Sequence, residues 1–394
     1  MFQQLDAPAK DPILSLTVAY REDAREDKLD LGIGVYRDSQ GHTPVMQAVR
    51  SAALTLADQQ DSKGYVGLAG NERFNDLMSQ FLLAGTSALA RSATIQTPGA
   101  SGALRMLGEL IAYAKPNATV WISRPSYVNH QPVMEACGLE VREYPYFDPD
   151  TKLVNEAAML ESLRQLGPDD VLLLHGCCHN PTGADISMAT WQAIADLAEQ
   201  QGFVPFVDLA YQGFGDNLDA DAAGLRLLAE RLPEVLVAVS CSKNFGLYRE
   251  RTGAAIVIGA TQADALRGKG HMQRIARATY TMPPDHGAAI VAMILENDAL
   301  KQQWLDELQA MQARIQRLRQ QLVAEFRSAS DSHRFDYFAE HRGMFSVTGL
   351  SAEQTQQLSA EQGVYVVGGG RVNVAGLSED RIGKLVSAFL AVGA

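Results

Sequence analysis

The chain has 394 residues, of which 46% are hydrophobic and 20% charged, an ordinary globular composition that allows one large core and a smaller second one. Its formal charge of −12, with no run of five or more like charges, argues against a nucleic-acid-binding surface and against an anchor on an anionic membrane. Residues 1–10 lack the basic start and apolar stretch of an export signal, so we expect a soluble cytoplasmic protein.

Short apolar runs alternate with longer amphipathic stretches between about residue 95 and residue 260. The apolar runs lie at 118–123, 171–175, 204–209, 236–240 and 254–258. Buried strands separated by helices are typical of an α/β fold with a parallel sheet. We therefore predict a large α/β domain with a mostly parallel, mixed sheet between helices.

Helical periodicity without Pro or Gly runs from Asn297 to about Ser328. We interpret this stretch as a long helix that links two domains, and a simple core helix of the large domain is the alternative. Short strand signals follow at 343–347, 364–367 and 371–374. They predict a smaller α+β domain.

Small residues in the segment 97–104 mark the start of a predicted helix. Free backbone N–H groups and the helix dipole at such a start attract an anion, for example a phosphate monoester. The signal is weak alone, because small-residue turns at helix starts are common. The segment is neither a Walker loop nor a GxGxxG fingerprint, which argues against a nicotinamide-dependent dehydrogenase.

The four cysteines, Cys137, Cys177, Cys178 and Cys241, form no CxxC pair, so we expect free thiols in a reducing compartment. The segment Cys177-Cys178-His179 could suggest a soft metal site. However, neighbouring side chains on a strand face opposite ways, and no second ligand pair occurs elsewhere. We predict no metal.

A lysine, Lys243, follows the apolar run 236–240 and lies among small hydroxyl residues. A surface lysine is the plain alternative, but burial at the end of a strand lowers a lysine pKa and makes the amine a nucleophile that can form a Schiff base. Ser240, Ser242 and Arg251 offer hydrogen-bond donors to a phosphate, and the arginine can bind it through two parallel bonds.

Asp208 follows the apolar run 204–207 at the end of a predicted strand, where a buried charge needs a partner. A carboxylate there could keep a pyridine nitrogen protonated, so that the ring withdraws electrons from a substrate carbanion. Tyr211 and Asn180 could both hydrogen-bond the phenolic oxygen of such a ring. For Asn180, a turn residue before proline is the alternative.

Together these segments resemble the class I aminotransferases of pyridoxal-phosphate (PLP) fold type I, over essentially the whole chain. The aspartate and aromatic subgroup is the most similar, through DLGIGVY at 30–36, HGCCHNPTG at 175–183 and GRVNVAG at 370–376. The resemblance implies PLP as cofactor, a homodimer with shared active sites, and amino acid and 2-oxo acid substrates. It also implies an N-terminal arm (1–10), a large PLP-binding domain (44–310) and a small domain (11–43 and 311–394).

Residue by residue, the resemblance implies that Lys243 carries PLP and shuttles the proton between the substrate α-carbon and the cofactor's C4′ atom, with Asp208 as the pyridinium partner. It implies a phosphate site made of Ala100 (backbone), Ser101, Ser240, Ser242 and Arg251, with Tyr65 from the other subunit. Arg371 would bind the substrate α-carboxylate, assisted by Asn180 and the backbone around Gly34.

Arg277 matches the arginine that meets the side-chain carboxylate of dicarboxylic substrates from the neighbouring subunit, and an exposed helical arginine is the alternative. Tyr127 departs from the family pattern, which has Trp stacked on the cofactor ring. This departure makes the substrate preference less certain. His130 matches a residue that supports Asp208. His175 is interpreted as a packed neighbour rather than an acid or base.

The activity implied is a ping-pong transfer of the amino group from an amino acid to a 2-oxo acid such as 2-oxoglutarate. The segments 241–253 and 340–346 look more like bacterial aromatic aminotransferases than aspartate ones. We therefore expect an enzyme for aromatic amino acids (Tyr, Phe, Trp) that also accepts aspartate and glutamate. An aspartate-preferring aminotransferase is the alternative, and β-elimination is a possible side activity.

Overall fold

The computed structural model describes residues 1–6 and 12–394 of the chain. Residues 7–10 of the predicted N-terminal arm therefore lie outside the described residues. Within the described ranges, no helix combines the length and the apolar character that crossing a membrane requires.

The strands form one seven-stranded sheet and two small two-stranded sheets within the described chain. In chain order they are β1 (Leu29–Asp30), β2 (Ser92–Pro98), β3 (Thr119–Arg124), β4 (Glu140–Pro145), β5 (Asp170–His175), β6 (Val204–Leu209), β7 (Val235–Ser240), β8 (Thr252–Ile258), β9 (Phe345–Val347), β10 (Val364–Tyr365) and β11 (Arg371–Asn373).

The large sheet has the order β2-β8-β7-β6-β5-β3-β4. Strand β8 runs antiparallel to both of its neighbours, whereas the other pairs are parallel. The predicted α/β fold with a mostly parallel, mixed sheet is confirmed. Strands β2 and β4 were not predicted. Strand β2 buries polar residues, and β4 is an edge strand whose side chains are largely exposed, so neither forms an apolar run.

The helices are α1 (Pro12–Glu22), α2 (Gln47–Gln59), α3 (Glu72–Leu83), α4 (Gly99–Ala114), α5 (His130–Ala136), α6 (Glu156–Leu163), α7 (Met188–Gln201), α8 (Leu218–Arg231), α9 (Gln262–Thr279), α10 (His286–Glu296), α11 (Asp298–Ser330), α12 (Tyr337–Glu340), α13 (Ala352–Gln362) and α14 (Ile382–Ala391). Local capping explains several ends. Helix α9, for example, begins at a capping box in which Thr261 and Asp264 each bond the other's backbone N–H.

The chain divides into two compact units. Unit 1 contains 1–43, 181–183 and 315–394, and unit 2 contains 44–180 and 184–314. The large sheet and one buried apolar cluster belong to unit 2, and a second cluster, around Leu318, Phe326 and Phe389, belongs to unit 1. The predicted long helix is confirmed as α11, and its residues are shared between the two units. The domain roles assigned from the resemblance stay predictions.

Candidate active site

The candidate site in unit 2 lies where strands β5, β6 and β7 end. These strands are parallel, and the register places Asp208 of β6 opposite His175 of β5 and Ala238 of β7. Lys243 follows three residues after the end of β7. Because parallel strands end at the same edge of a sheet, the predicted lysine and aspartate come from adjacent strands at one edge.

Lys243 is half-buried, and its Nζ atom lies 4.8 Å from the centre of the Tyr211 ring. Desolvation lowers the pKa of this lysine to about 8; the negative charge of Asp208 opposes the shift and the positive charge of Arg251 adds to it. A lysine with such a pKa has a substantial neutral fraction near physiological pH. It can therefore act as a nucleophile or as a base.

Asp208 is buried, and one of its carboxylate oxygens, Oδ2, lies 2.9 Å from Nε2 of the fully buried His130. Burial alone would raise the pKa of this carboxyl. The hydrogen bond to His130 and the nearby positive charges outweigh burial, so the pKa of Asp208 is lowered and the group is an anion. The other oxygen, Oδ1, has no hydrogen-bond partner within the described residues.

An unpartnered, buried carboxylate oxygen is costly unless a ligand donor completes it. A protonated pyridine nitrogen is such a donor, so this oxygen fits the cofactor that the sequence implies. His130, which contacts Asp208, is itself held in place by a hydrogen bond, because its Nδ1 lies 2.8 Å from the hydroxyl of Ser126. The sequence reasoning missed Ser126, although its spacing of four residues from His130 across the start of α5 was a usable signal.

A second cradle lies at the first turn of α4. Gly99 has a positive φ of 68°, and a Cβ atom there would come within 2.6 Å of the Arg251 guanidinium. Arg251 also lies 3.4 Å from the hydroxyl of Ser242. The start of α4, with Ala100 and Ser101 in its first turn, therefore combines free backbone N–H groups with a cation, which suits a phosphate dianion.

The other predicted ring contacts also lie in unit 2. The Asn180 amide nitrogen and the Tyr211 hydroxyl are 3.5 Å apart, close enough to meet at one ligand oxygen. The Tyr127 ring packs edge-on against His130 at 5.4 Å, and its hydroxyl accepts a hydrogen bond from Asn129. The ring that replaces the usual tryptophan is therefore anchored to the histidine that contacts Asp208.

Arg371 and Gly34 belong to unit 1. Arg371 is buried at the start of β11, donates to the carbonyl of Gly32 at 2.6 Å, and lies 4.5 Å from the centre of the Phe345 ring. The same ring leaves no room for a side chain at position 34, where a Cβ atom would come within 2.7 Å. Sequence reasoning missed Phe345, because its distance along the chain from both residues gives no local signal.

Tyr65 and Arg277 are placed at the surface. Tyr65 is 91% exposed, and Arg277 is an exposed residue in the last turn of α9. Their predicted roles in the active site of a second subunit stay predictions.

One expectation about Cys177 and Cys178 is wrong. Their sulfur atoms and a carboxylate oxygen of Asp221 all lie within 4.8 Å of one another, rather than on opposite faces. Both cysteines follow the end of β5, and Cys178 has a left-handed φ of 52°, so strand alternation does not apply. The hydrogen bond to Cys178 and burial raise the pKa of the Cys177 thiol well above its usual range, and a protonated thiol is a poor metal ligand.

The geometry agrees with comparisons to known proteins. The family model "Aminotransferase class I and II" matches residues 26–389. The chain is 44% identical to an aromatic-amino-acid aminotransferase of Paracoccus denitrificans and 43% identical to an aspartate aminotransferase of Escherichia coli, with full coverage of both partners in each case.

Solved structures give the same result. An aromatic amino acid aminotransferase with 3-indolebutyric acid superposes with a TM-score of 0.97 at 44% identity, over 100% of each chain. An aromatic-amino-acid aminotransferase from Burkholderia pseudomallei, described as covalently bound to pyridoxal phosphate, has a TM-score of 0.97 at 37% identity and covers 100% of this chain and 99% of its own. The chain therefore belongs to the class I and II aminotransferases, and it is a transaminase whose cofactor is PLP.

Proposed function

We propose that this transaminase moves the amino group of aromatic amino acids, and of aspartate and glutamate, to 2-oxo acids such as 2-oxoglutarate. The observation that carries the chemistry is the pairing of Lys243 with Asp208 at adjacent strand ends: the lysine pKa is lowered to about 8 and the aspartate has one buried oxygen without a partner within the described residues. The breadth of substrates is supported by full-length relatives of both kinds.

When bound, PLP supplies a conjugated ring that accepts electron density from the substrate α-carbon. In our proposal Lys243 would carry the proton between the substrate α-carbon and the cofactor's C4′ atom, and Asp208 would keep the pyridine nitrogen protonated. Asn180 and Tyr211 would hold the phenolic oxygen. Arg371 would hold the substrate α-carboxylate and so orient the Cα–H bond for deprotonation rather than decarboxylation.

The phosphate is assigned to the cradle at the start of α4, with Ala100, Ser101, Ser240, Ser242 and Arg251. Tyr65 is assigned to the same phosphate from a second subunit, and its 91% exposure in a single chain leaves the side chain available for that role. We accordingly propose a homodimer. A molar mass of one chain in solution, measured by light scattering on the active holoenzyme, would contradict the dimer.

We also propose that the enzyme works in the cytoplasm. Support comes from four free cysteines, three of them buried, which are compatible with a reducing compartment.

The deciding experiment is kcat/KM for aspartate, tyrosine and phenylalanine with 2-oxoglutarate as acceptor. Comparable values for aspartate and the aromatic substrates are expected. Aromatic values lower by three or more decades, roughly 4 kcal/mol of transition-state discrimination, would instead establish the aspartate-preferring enzyme.

Arg277→Ala should reduce kcat/KM for aspartate by about 100-fold, because a charged substrate carboxylate loses its partner, and that for phenylalanine by less than about fivefold. The matched control is Arg267→Ala, which removes another exposed arginine of α9, one paired with Asp264. It should leave both values near wild type. Equal losses for aspartate and phenylalanine in Arg277→Ala would remove Arg277 from the side-chain role.

The rate at which the PLP-free protein recaptures its cofactor should depend on pH. Below a pH of about 8 Lys243 is mostly protonated and not nucleophilic, and above it the amine is mostly neutral. The rate constant for covalent attachment should therefore rise with pH, reach half of its maximum near pH 8 and level off about one pH unit higher. Stopped-flow absorbance between pH 6 and 10 measures it, and a rise that continues towards the ordinary lysine pKa would show that the site does not depress it.

A further inference from the structure

The side chain of Arg319 on α11 is fully buried, yet it is a cation. Its guanidinium donates to the carbonyls of Gly343 at 2.8 Å and Phe345 at 2.7 Å, and to the hydroxyl of Ser346 at 2.8 Å. It also reaches the carbonyl of Phe338 at 3.2 Å. Burying the charge of an arginine costs free energy unless hydrogen bonds compensate it. A buried guanidinium with this many partners holds the backbone segments that it bonds in one arrangement.

The fixed segment is 343–346, which follows α12 and includes the first two residues of β9. Its last residue is held from a second side, because His341 Nδ1 lies 2.9 Å from the Ser346 hydroxyl. Gly343 has a left-handed φ of 71°, which allows the chain to turn there. The segment then enters β9, which pairs antiparallel with β11 and places Val347 opposite Arg371.

Phe345 links this segment to the predicted carboxylate site of unit 1. Its carbonyl accepts from Arg319, and its ring lies 4.5 Å from the Arg371 guanidinium carbon, within cation–π distance. A Cβ atom at Gly34 would come within 2.7 Å of the ring. The ring therefore has little room, and its position determines where the arginine can lie.

We propose that Arg319 is a positioning residue for the α-carboxylate site: it fixes the 343–346 segment, and the Phe345 ring of that segment fixes the guanidinium of Arg371. This rests on the proposed role of Arg371. Arg319 does not touch the substrate. Lysine cannot replace it fully, because one ammonium nitrogen cannot reach all the partners that the flat guanidinium spans.

The α-carboxylate is common to all amino acid substrates, so the effect should not depend on the side chain. Arg319→Lys in the PLP-loaded enzyme should raise KM for aspartate and for phenylalanine by a similar factor of about ten, with kcat changed less than about threefold. The dissociation constant of 3-indolebutyrate, a monocarboxylate, should rise by the same factor. PLP retention should stay at the wild-type level.

The matched control is Leu322→Ala, also fully buried and on the same helix one turn later. It should lower the thermal unfolding midpoint without raising KM. Arg319→Met removes every donor and is a harsher variant, and where it fails to fold, Arg319→Lys still decides. If Arg319→Lys raises KM and the 3-indolebutyrate constant no more than Leu322→Ala does, the proposal is overturned.

Arg371→Lys separates this inference from the proposed function. If Arg371→Lys weakens 3-indolebutyrate and Arg319→Lys does not, Arg319 is only structural and the assignment of Arg371 stands. If Arg371→Lys leaves 3-indolebutyrate binding unchanged, the role of Arg371 is wrong and the positioning proposal falls with it.

Discussion

Lys243→Ala is expected to lower kcat for transamination by about 10⁴-fold, the upper end of the range for loss of a positioned general base, while the protein still binds PLP. Binding should persist because the start of α4, Arg251 and Asp208 do not depend on the lysine amine. The covalent attachment should disappear, because Lys243 supplies the amine that forms it in our proposal.

Two measurements on Lys243→Ala test this. Absorbance should report bound cofactor without the band of the lysine-attached form, and single-turnover mixing with aspartate should show whether the α-carbon proton is still removed. Cys241→Ala is the control, since Cys241 is a fully buried residue of the same segment. It should retain the absorbance band and most of the activity. Turnover of Lys243→Ala near the wild-type level would refute the assignment of the base.

The sequence indicated where Lys243 and Asp208 lie in the sheet, because Lys243 follows a strongly apolar strand and Asp208 lies near the end of another. The chain between those strands forms a helix, so the strands had to be parallel and their ends had to share an edge. Local pattern and topology therefore placed the two residues together before any contact was known. The antiparallel direction of β8 was beyond this reasoning, because a short apolar run carries no direction.

The surroundings of Arg371 in unit 1 could not be predicted in the same way. Phe345 packs against Arg371 and next to Gly34, which is more than 300 residues away along the chain. Arg319 reads in the sequence as one more polar residue of a long helix, and only the structure shows that it is fully buried. Contacts of this kind depend on tertiary packing, which periodicity does not encode.

The expectation that Cys177 and Cys178 face opposite ways failed for a related reason. Side chains alternate only while the backbone stays extended, and β5 ends at His175. Cys178, which lies after the end of β5 and two residues before Asn180, has a left-handed backbone conformation. The sequence gives no marker for it, because a non-glycine residue with positive φ is uncommon and is usually Asn or Asp.

Asp208→Asn is expected to lower kcat by about 10³-fold, the loss typical of removing one preorganised electrostatic partner from a reacting centre. The amide keeps the size of the carboxylate but not its charge. A pyridine nitrogen beside it would no longer be held protonated, and the ring would accept electron density less readily. Because Asp208 is an anion in the wild type, the effect should persist across the neutral pH range.

Asp208→Glu should recover part of the rate, because it restores the charge at a displaced position, and this recovery distinguishes a charge role from a packing role. Asp170→Asn is the matched control. Asp170 begins the neighbouring strand β5, so it lies at the opposite ends of the parallel strands from Asp208, and it accepts a hydrogen bond from Trp121. It should cost stability without a comparable loss in kcat. If Asp208→Asn and Asp170→Asn lower kcat equally, Asp208 acts through the fold, and the unpartnered oxygen is not the site of the pyridine nitrogen.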